Sequence, residues 1–76
     1  MSKTRVYSGK ELCKIFSLIG YFIDHQTGSH FILRNSNYPF RRLTIPNHKE
    51  IAIGTLKNIL KQAGITLEEL YQLEDL

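Results

Sequence analysis

The sequence predicts an α+β fold, in which three antiparallel strands form one sheet, two helices cover one face of it, and a short helix follows at the C-terminus. Three observations support this αβββα order. Apolar residues recur at helical spacing in two separate segments of the 76-residue chain, and the period changes to two between them. Glycine, proline and capping residues separate the segments. We expect a single domain over residues 1–76, because a chain this short buries only somewhat over ~60% of its unfolded surface.

The first helix is predicted over residues 9–19. Ser8 and Glu11 form a Ser-x-x-Glu capping box, in which each side chain accepts a hydrogen bond from a backbone N–H at the helix start. Gly20 can supply the left-handed residue that ends the helix. The apolar stripe of this helix consists of Leu12, Ile15, Phe16 and Ile19.

A second helix and a short third one follow the strands. Gly64 ends the second helix, whose apolar stripe is Leu56, Ile59, Leu60 and Ala63. Thr66 and Glu69 form another capping box, which opens the C-terminal helix. Its apolar residues are Leu67, Leu70, Tyr71 and, as a further candidate, Leu73. This segment could dock a partner, but closure of the core is the favoured interpretation.

The three strands lie between the long helices. The segments YFIDHQ and SHFILRN are separated by Thr27 and Gly28, a tight turn in which Gly28 can take a positive φ. The segment RRLTIP is bracketed by Pro39 and Pro46 and supplies the third strand. An antiparallel sheet can leave one face in water, so the helices should cover the other. The residues expected to face the helices are Phe31, Leu33, Leu43 and Ile45.

His30 is the candidate functional residue of the sheet. By alternation His30, Ile32 and Arg34 point away from the helices, beside Arg42 and Thr44 on the neighbouring strand. We therefore expect His30 to be exposed and flanked by cations. A histidine satisfied in the core is the usual alternative, and the strand parity counts against it. A surface histidine without a role is a second alternative, and a metal ligand is the weakest, since three histidines occur without a cysteine cluster or a His-x₃-His spacing.

The charge is divided unevenly along the chain. Residues 1–61 hold ten Lys and Arg against three acidic residues, a net +7, whereas residues 62–76 hold four acidic residues and no basic one. A basic body is typical of proteins that bind polyanions, and nucleic acid is the favoured partner class. Scattered cations that only keep a small domain soluble are the alternative.

The sequence also predicts a soluble protein of a reducing, cytoplasmic compartment. Cys13 is the one cysteine, so no internal disulfide and no Cys-x-x-Cys motif can form. The N-terminal stretch MSKTRVYSGKEL lacks an apolar core of signal-peptide length. Nowhere do 18 apolar residues run together, so we expect no membrane contact.

The segments SGKELCKIF, GSHFI, RRLTIP and GTLKNILKQAGIT, in this order, resemble the HicA family of bacterial toxins. The resemblance spans about residues 8–70. It implies a double-stranded-RNA-binding-like fold and a ribosome-independent mRNA interferase that a HicB-type antitoxin holds inactive. The histidine of the family's Gly-Ser-His motif is its one catalytic residue, which corresponds to His30 here.

The residue types fit this chemistry independently of the resemblance. RNA is cleaved without a metal or other cofactor when a base takes the proton of the 2′-hydroxyl, which then attacks the adjacent phosphorus. Histidine suits this role, because an ordinary imidazole exists in either form near neutrality. His25 and His48 are candidates for a complementary acid, although a solvated strand residue and a loop residue are the favoured interpretations.

The same reasoning suggests substrate contacts. Arg34, Arg42 and Lys10 could neutralise charge on the reacting phosphate. Gly28 leaves room for a close backbone approach, and Ser29 could donate a hydrogen bond, with simple turn chemistry an equal alternative. The competing hypothesis is an RNA-binding module of the same fold that cuts nothing. Such a module would gain little from an exposed imidazole, so the sequence favours cleavage.

Overall fold

The computed structural model describes residues 5–76. The N-terminal stretch MSKTRVYSGKEL, in which we expect no signal peptide, therefore begins outside the described residues. Its elements are α1 (Gly9–Ser17), β1 (Tyr21–Gln26), β2 (His30–Asn35), β3 (Arg42–Pro46), α2 (Ile53–Ala63) and α3 (Leu67–Glu74). The strands form one antiparallel sheet in the order β1-β2-β3. The predicted α+β class and the αβββα order are confirmed. Within residues 5–76, no helix has the length and apolar character that a membrane span requires.

Helix α1 begins where the sequence predicts and ends earlier. The Glu11 N–H donates to Ser8 Oγ at 3.0 Å, and the Ser8 N–H donates to the Glu11 carboxylate at 2.8 Å, so the capping box is formed. The helix ends at Ser17, two residues before the predicted end, because the next three amides bond to carbonyls only three residues back. Gly20 has a φ of 98°, and a side chain there would collide with the Asn35 amide.

The start of α1 is fixed against the end of β3. Gly9 is buried, and a Cβ at this position would overlap the carbonyl oxygen of Pro46. The Gly9 N–H donates to the carbonyl of His48 at 2.9 Å. Because Pro46 pairs with His30 in the sheet, this contact ties the first helix to the strand end that carries the candidate histidine.

The core lies between the helices and one face of the sheet. The predicted inward positions of the strands are all buried, namely Phe31, Leu33, Leu43 and Ile45. The predicted stripe of α2 is buried against them, namely Leu56, Ile59, Leu60 and Ala63. Gly64 ends α2 in the left-handed conformation, as predicted.

Helix α3 closes the core, which is the favoured interpretation of this segment. The capping box of Thr66 and Glu69 is formed. Leu70 is completely buried, and the other apolar residues of the helix pack against the core with part of their surface exposed. One oxygen of the Glu74 carboxylate accepts hydrogen bonds from the Tyr7 hydroxyl at 2.7 Å and from Arg5 at 2.8 Å. These bonds attach the end of α3 to the segment that precedes α1.

The connection between β1 and β2 differs from the predicted tight turn. It contains three residues, Thr27–Ser29, and Gly28 does not take a positive φ, so that expectation is wrong. The physical reason is the Thr27 side chain. The His30 N–H donates to Thr27 Oγ1 at 3.0 Å, and the Thr27 N–H donates to the His30 carbonyl at 2.9 Å. These bonds close the turn without a left-handed residue.

Candidate active site

The face of the sheet away from the helices carries the candidate site, and we call it the open face. It consists of His30, Ile32 and Arg34 on β2, Thr44 and Arg42 on β3, and Phe22 and His25 on β1. The register pairs His30 with Pro46, Ile32 with Thr44, and Arg34 with Arg42. The strand parity inferred for β2 and β3 is therefore the one that the structure adopts.

His30 lies at the start of β2 and is half-buried. The expectation of an exposed histidine is only partly correct, because Pro46 lies directly across on β3 and the Thr27 turn closes over its backbone. The cations expected to flank it are not its neighbours in the sheet, since Arg34 and Arg42 are paired four residues further along β2. No polar or charged side chain of the described residues is buried, so His30 is not a histidine of the core. Its Nδ1 is 2.9 Å from Ser29 Oγ. This contact leaves Nε2 as the ring nitrogen that can meet a substrate.

Two arginines face each other at the other end of the open face. Arg34 and Arg42 are direct partners across β2 and β3, and both are exposed. Like charges directly opposite each other destabilise a sheet. The pKa of the Asp24 carboxyl is lowered, first by its hydrogen bond with His25 and to a smaller extent by these two guanidiniums. The pair forms a site of positive charge that an anionic group would stabilise.

A β-bulge in β1 places His25 on the open face. The register changes from Ile23 opposite Leu33 to His25 opposite Ile32, so Asp24 is an extra residue on this strand. If Asp24 were paired regularly with Ile32 instead, His25 would be opposite Phe31 and would face the helices. Asp24 Oδ2 lies 2.9 Å from His25 Nδ1. No signal in the segment YFIDHQ predicts this arrangement.

Ile32 is buried although it lies on the open face. It is only 7% exposed and does not belong to the apolar core cluster. Its neighbours by register are His25 on β1 and Thr44 on β3, and its neighbours along β2 on the same face are His30 and Arg34. The four positions adjacent to Ile32 on the open face therefore all carry polar side chains, and two of them are histidines.

Exposed aromatic side chains border this surface. Phe22 lies opposite Arg34 and is 46% exposed. Tyr38 and Phe40 pack edge to face, with ring centroids 5.9 Å apart, in the loop that leads into Arg42. No motif in the sequence marks these rings as part of a site. Exposed aromatic rings beside cations are what unstacked RNA bases bind.

The remaining candidates lie elsewhere. Lys10 is in the first turn of α1 and lines a groove between that helix and β1, together with the inward-facing Phe31. Gly28 is exposed at the turn, with nothing within 4 Å of a would-be Cβ. His48 is an exposed residue of the loop after β3. Within residues 5–76, no three His, Cys, Asp or Glu side chains converge as a metal site would require.

The structure thus defines a small α+β protein of double-stranded-RNA-binding-like arrangement, with helices on one face of the sheet and histidines and arginines on the other. A family model described as the HicA toxin of bacterial toxin–antitoxin systems matches residues 9–65. The match covers well over half of the chain, and the protein belongs to the HicA toxin family. Its role is that of a toxin with an antitoxin as partner. No curated protein and no solved structure matches the chain.

Proposed function

We propose that this toxin is a metal-independent endoribonuclease that cleaves mRNA, with His30 as the general base. One observation carries the proposal. His30 lies on the open face with its Nδ1 engaged by Ser29, on the same strand face as Arg34 and next to the strand of Arg42. An imidazole and fixed cations on one surface are a combination suited to phosphoryl transfer to a 2′-hydroxyl.

The proposed base acts through its Nε2. This nitrogen takes the proton of the 2′-hydroxyl, whose oxygen attacks the adjacent phosphorus. Because the nucleophile belongs to the RNA itself, the reaction needs no metal-bound water. Positioned acid–base catalysis of this kind is typically worth ~10²–10⁴-fold in rate.

The proposed RNA contacts follow the charge. Arg34 and Arg42 would together bind a phosphate next to the scissile one, where an anion relieves their mutual repulsion. Ser29 and the open space at Gly28 would allow a close approach of the backbone. Lys10, on α1, would contact a more distant part of the strand.

The partner that silences the toxin is proposed to be a HicB-type antitoxin that covers the open face. Opposite charge across an interface speeds association and selects partners, so an acidic surface would complement Arg34 and Arg42. The toxin and its mRNA would meet in the cytoplasm. A complex in which the antitoxin contacts only the helices and RNA still reaches His30 would contradict this mechanism.

The test is incubation of the purified protein with a defined RNA in the presence of EDTA. We expect cleavage, with 2′,3′-cyclic phosphate ends. His30→Ala should abolish cleavage and leave the melting temperature and RNA affinity nearly unchanged, because substitutions outside the core usually change stability by about ±0.5 kcal/mol. His48→Ala is the matched control, since it removes a loop histidine. A His30→Ala protein that cuts at the wild-type rate would refute the assignment.

The second candidate is an RNA-binding protein that does not cut. The paired arginines and the exposed Phe22 ring favour it, because they suffice for binding phosphates and a base. The same experiment decides between the two. Salt-dependent binding of an RNA that stays intact would establish binding alone.

A further inference from the structure

We propose that His25 is the general acid of the cleavage reaction and that Asp24 is the residue that positions it. This inference rests on the proposed ribonuclease function, since it names the group that protonates the leaving oxygen of that reaction. The observation that supports it is the β-bulge at Asp24, which places His25 on the same open face as His30.

The register places the two histidines at a diagonal of the β1–β2 hairpin. His25 lies opposite Ile32, and His30 is two residues from Ile32 on the same face. Diagonal neighbours of this kind are about 7–8 Å apart. A base and an acid must stand on opposite sides of the phosphorus, because the attacking and leaving oxygens are roughly in line. Two imidazoles at this separation can hold one phosphate between them, above Ile32.

In both His25 and His30, the ring nitrogen Nδ1 contacts the side chain of the preceding residue. Asp24 Oδ2 lies 2.9 Å from His25 Nδ1, and Ser29 Oγ lies 2.9 Å from His30 Nδ1. A carboxylate only accepts, so His25 Nδ1 carries a hydrogen and Nε2 is the nitrogen that exchanges a proton. The Asp24 carboxylate stabilises an imidazolium, which is the form in which a general acid begins the step. The neutral Ser29 hydroxyl does not, and a general base begins the step as a neutral imidazole. This difference assigns the acid to His25 and the base to His30.

The proposed step balances. The 2′-oxygen forms a bond to phosphorus while His30 Nε2 removes its proton. The bond between phosphorus and the 5′-oxygen breaks, and the Nε2–H of His25 protonates that oxygen. The products are a 2′,3′-cyclic phosphate and a 5′-hydroxyl. His30 ends protonated and His25 neutral, and proton exchange with water restores both.

The experiment changes the leaving group. A short RNA with one cleavage site, mapped with the wild-type protein, is made in two forms, with oxygen or with sulfur at the bridging 5′ position. A thiolate leaves without a proton, because thiols are far stronger acids than alcohols. Single-turnover rates are measured for the wild type, His25→Ala, Asp24→Asn, His30→Ala and the control His48→Ala, at equal protein excess.

We expect His25→Ala to lose ~10²-fold or more on the oxygen substrate and less than about threefold on the sulfur substrate. Asp24→Asn should show the same pattern with a smaller loss, which a purely structural role would not produce. His48→Ala should cut both substrates like the wild type. His30→Ala should lose activity on both, because the 2′-hydroxyl needs its base in either case.

Each other outcome is informative. If His25→Ala loses equally on the two substrates or on neither, or if His48→Ala shows the sulfur-sensitive loss instead, the assignment of the acid is wrong while the ribonuclease function stands. If His30→Ala cuts normally, the proposed base is wrong. If the wild-type protein cuts neither RNA, the proposed function fails, and the acid fails with it.

Discussion

The pairing of Arg34 with Arg42 makes a prediction in which stability and RNA binding change in opposite directions. The perturbation is Arg42→Gln, which removes one charge and keeps a long polar side chain in the strand. The two guanidiniums are direct cross-strand partners on the open face. If the two guanidiniums bind a phosphate of the RNA, removing one charge should make the isolated protein more stable and lower its affinity for RNA.

The magnitudes follow from the geometry. Cross-strand pairs are worth about 0.2–1 kcal/mol, and like charges are unfavourable. The nearby Asp24 carboxylate already offsets part of the repulsion, so we expect a gain of about 0.2–0.5 kcal/mol. In a chain of this length that gain raises the melting temperature by about 1–4 °C. Loss of one phosphate contact should make the slope of the logarithm of the RNA association constant against the logarithm of salt concentration shallower by ~0.7. Over a fourfold change in salt, this difference corresponds to a factor of about 2–3 in affinity.

The matched control is Arg41→Gln, one residue earlier. Arg41 donates to the carbonyl of Gln62 at the end of α2, on the helix side of the sheet, and the substitution changes the net charge equally. It should leave the salt slope nearly unchanged and lower the melting temperature slightly. Thermal melts without RNA and binding titrations at several salt concentrations measure both effects. Equal slopes for the two variants would refute the reasoning, since only net charge would then matter.

Three further predictions concern the core and its closure. Leu70→Ala should cost about 2–5 kcal/mol of unfolding free energy in urea titrations, whereas Leu76→Ala, at a residue 89% exposed, should cost less than about 0.5 kcal/mol; similar small losses would mean that α3 does not close the core. The pKa of Glu74 is lowered, chiefly by its hydrogen bond from Arg5 and then by that from Tyr7, so its contribution is present above the unfolded pKa and is lost as the pH falls through the folded pKa. Glu74→Gln should therefore destabilise the protein most at neutral pH, and the penalty should shrink as the pH is lowered through the folded pKa of Glu74; a penalty that does not change with pH would contradict this. Burial raises the pKa of the Cys13 thiol to about 11, so alkylation should be slow at pH 8 and accelerate up to that value, and rapid alkylation at pH 7 would show that the thiol is not protected.

The elements that depend on short-range signals could be predicted from the sequence. Both capping boxes act within four residues, and both form where Ser8 and Thr66 precede their helices. The end of α1 could not be placed, because Ile19 keeps the helical spacing and packs partly buried against the core from the turn after Ser17. A periodic stripe shows which side chains face the core and does not show where the last helical hydrogen bond lies.

The arrangement of the candidate site depends on pairing between strands, which the sequence alone does not specify. An alternating pattern gives the relative direction of neighbouring side chains, and one extra residue reverses it for the rest of the strand. The bulge at Asp24 has this effect on His25. The half-burial of His30 depends equally on its partner Pro46 across the sheet. The catalytic role proposed for His30 comes from the family resemblance, because an alternation pattern carries no information about chemistry.

The open face contains features that selection for stability alone would remove. Two arginines face each other, Phe22 exposes half of its ring, and a bulge interrupts the edge strand next to His25. Each lowers the stability or the regularity of the sheet, and all lie on the face that the helices leave uncovered. Local conflicts of this kind are expected where a binding or catalytic site constrains the residues. One strand of RNA bound as proposed would resolve them together. Its phosphates would pair with the guanidiniums, its bases would stack on the ring, and its reacting phosphorus would lie between two imidazoles that only the bulge brings to the same surface.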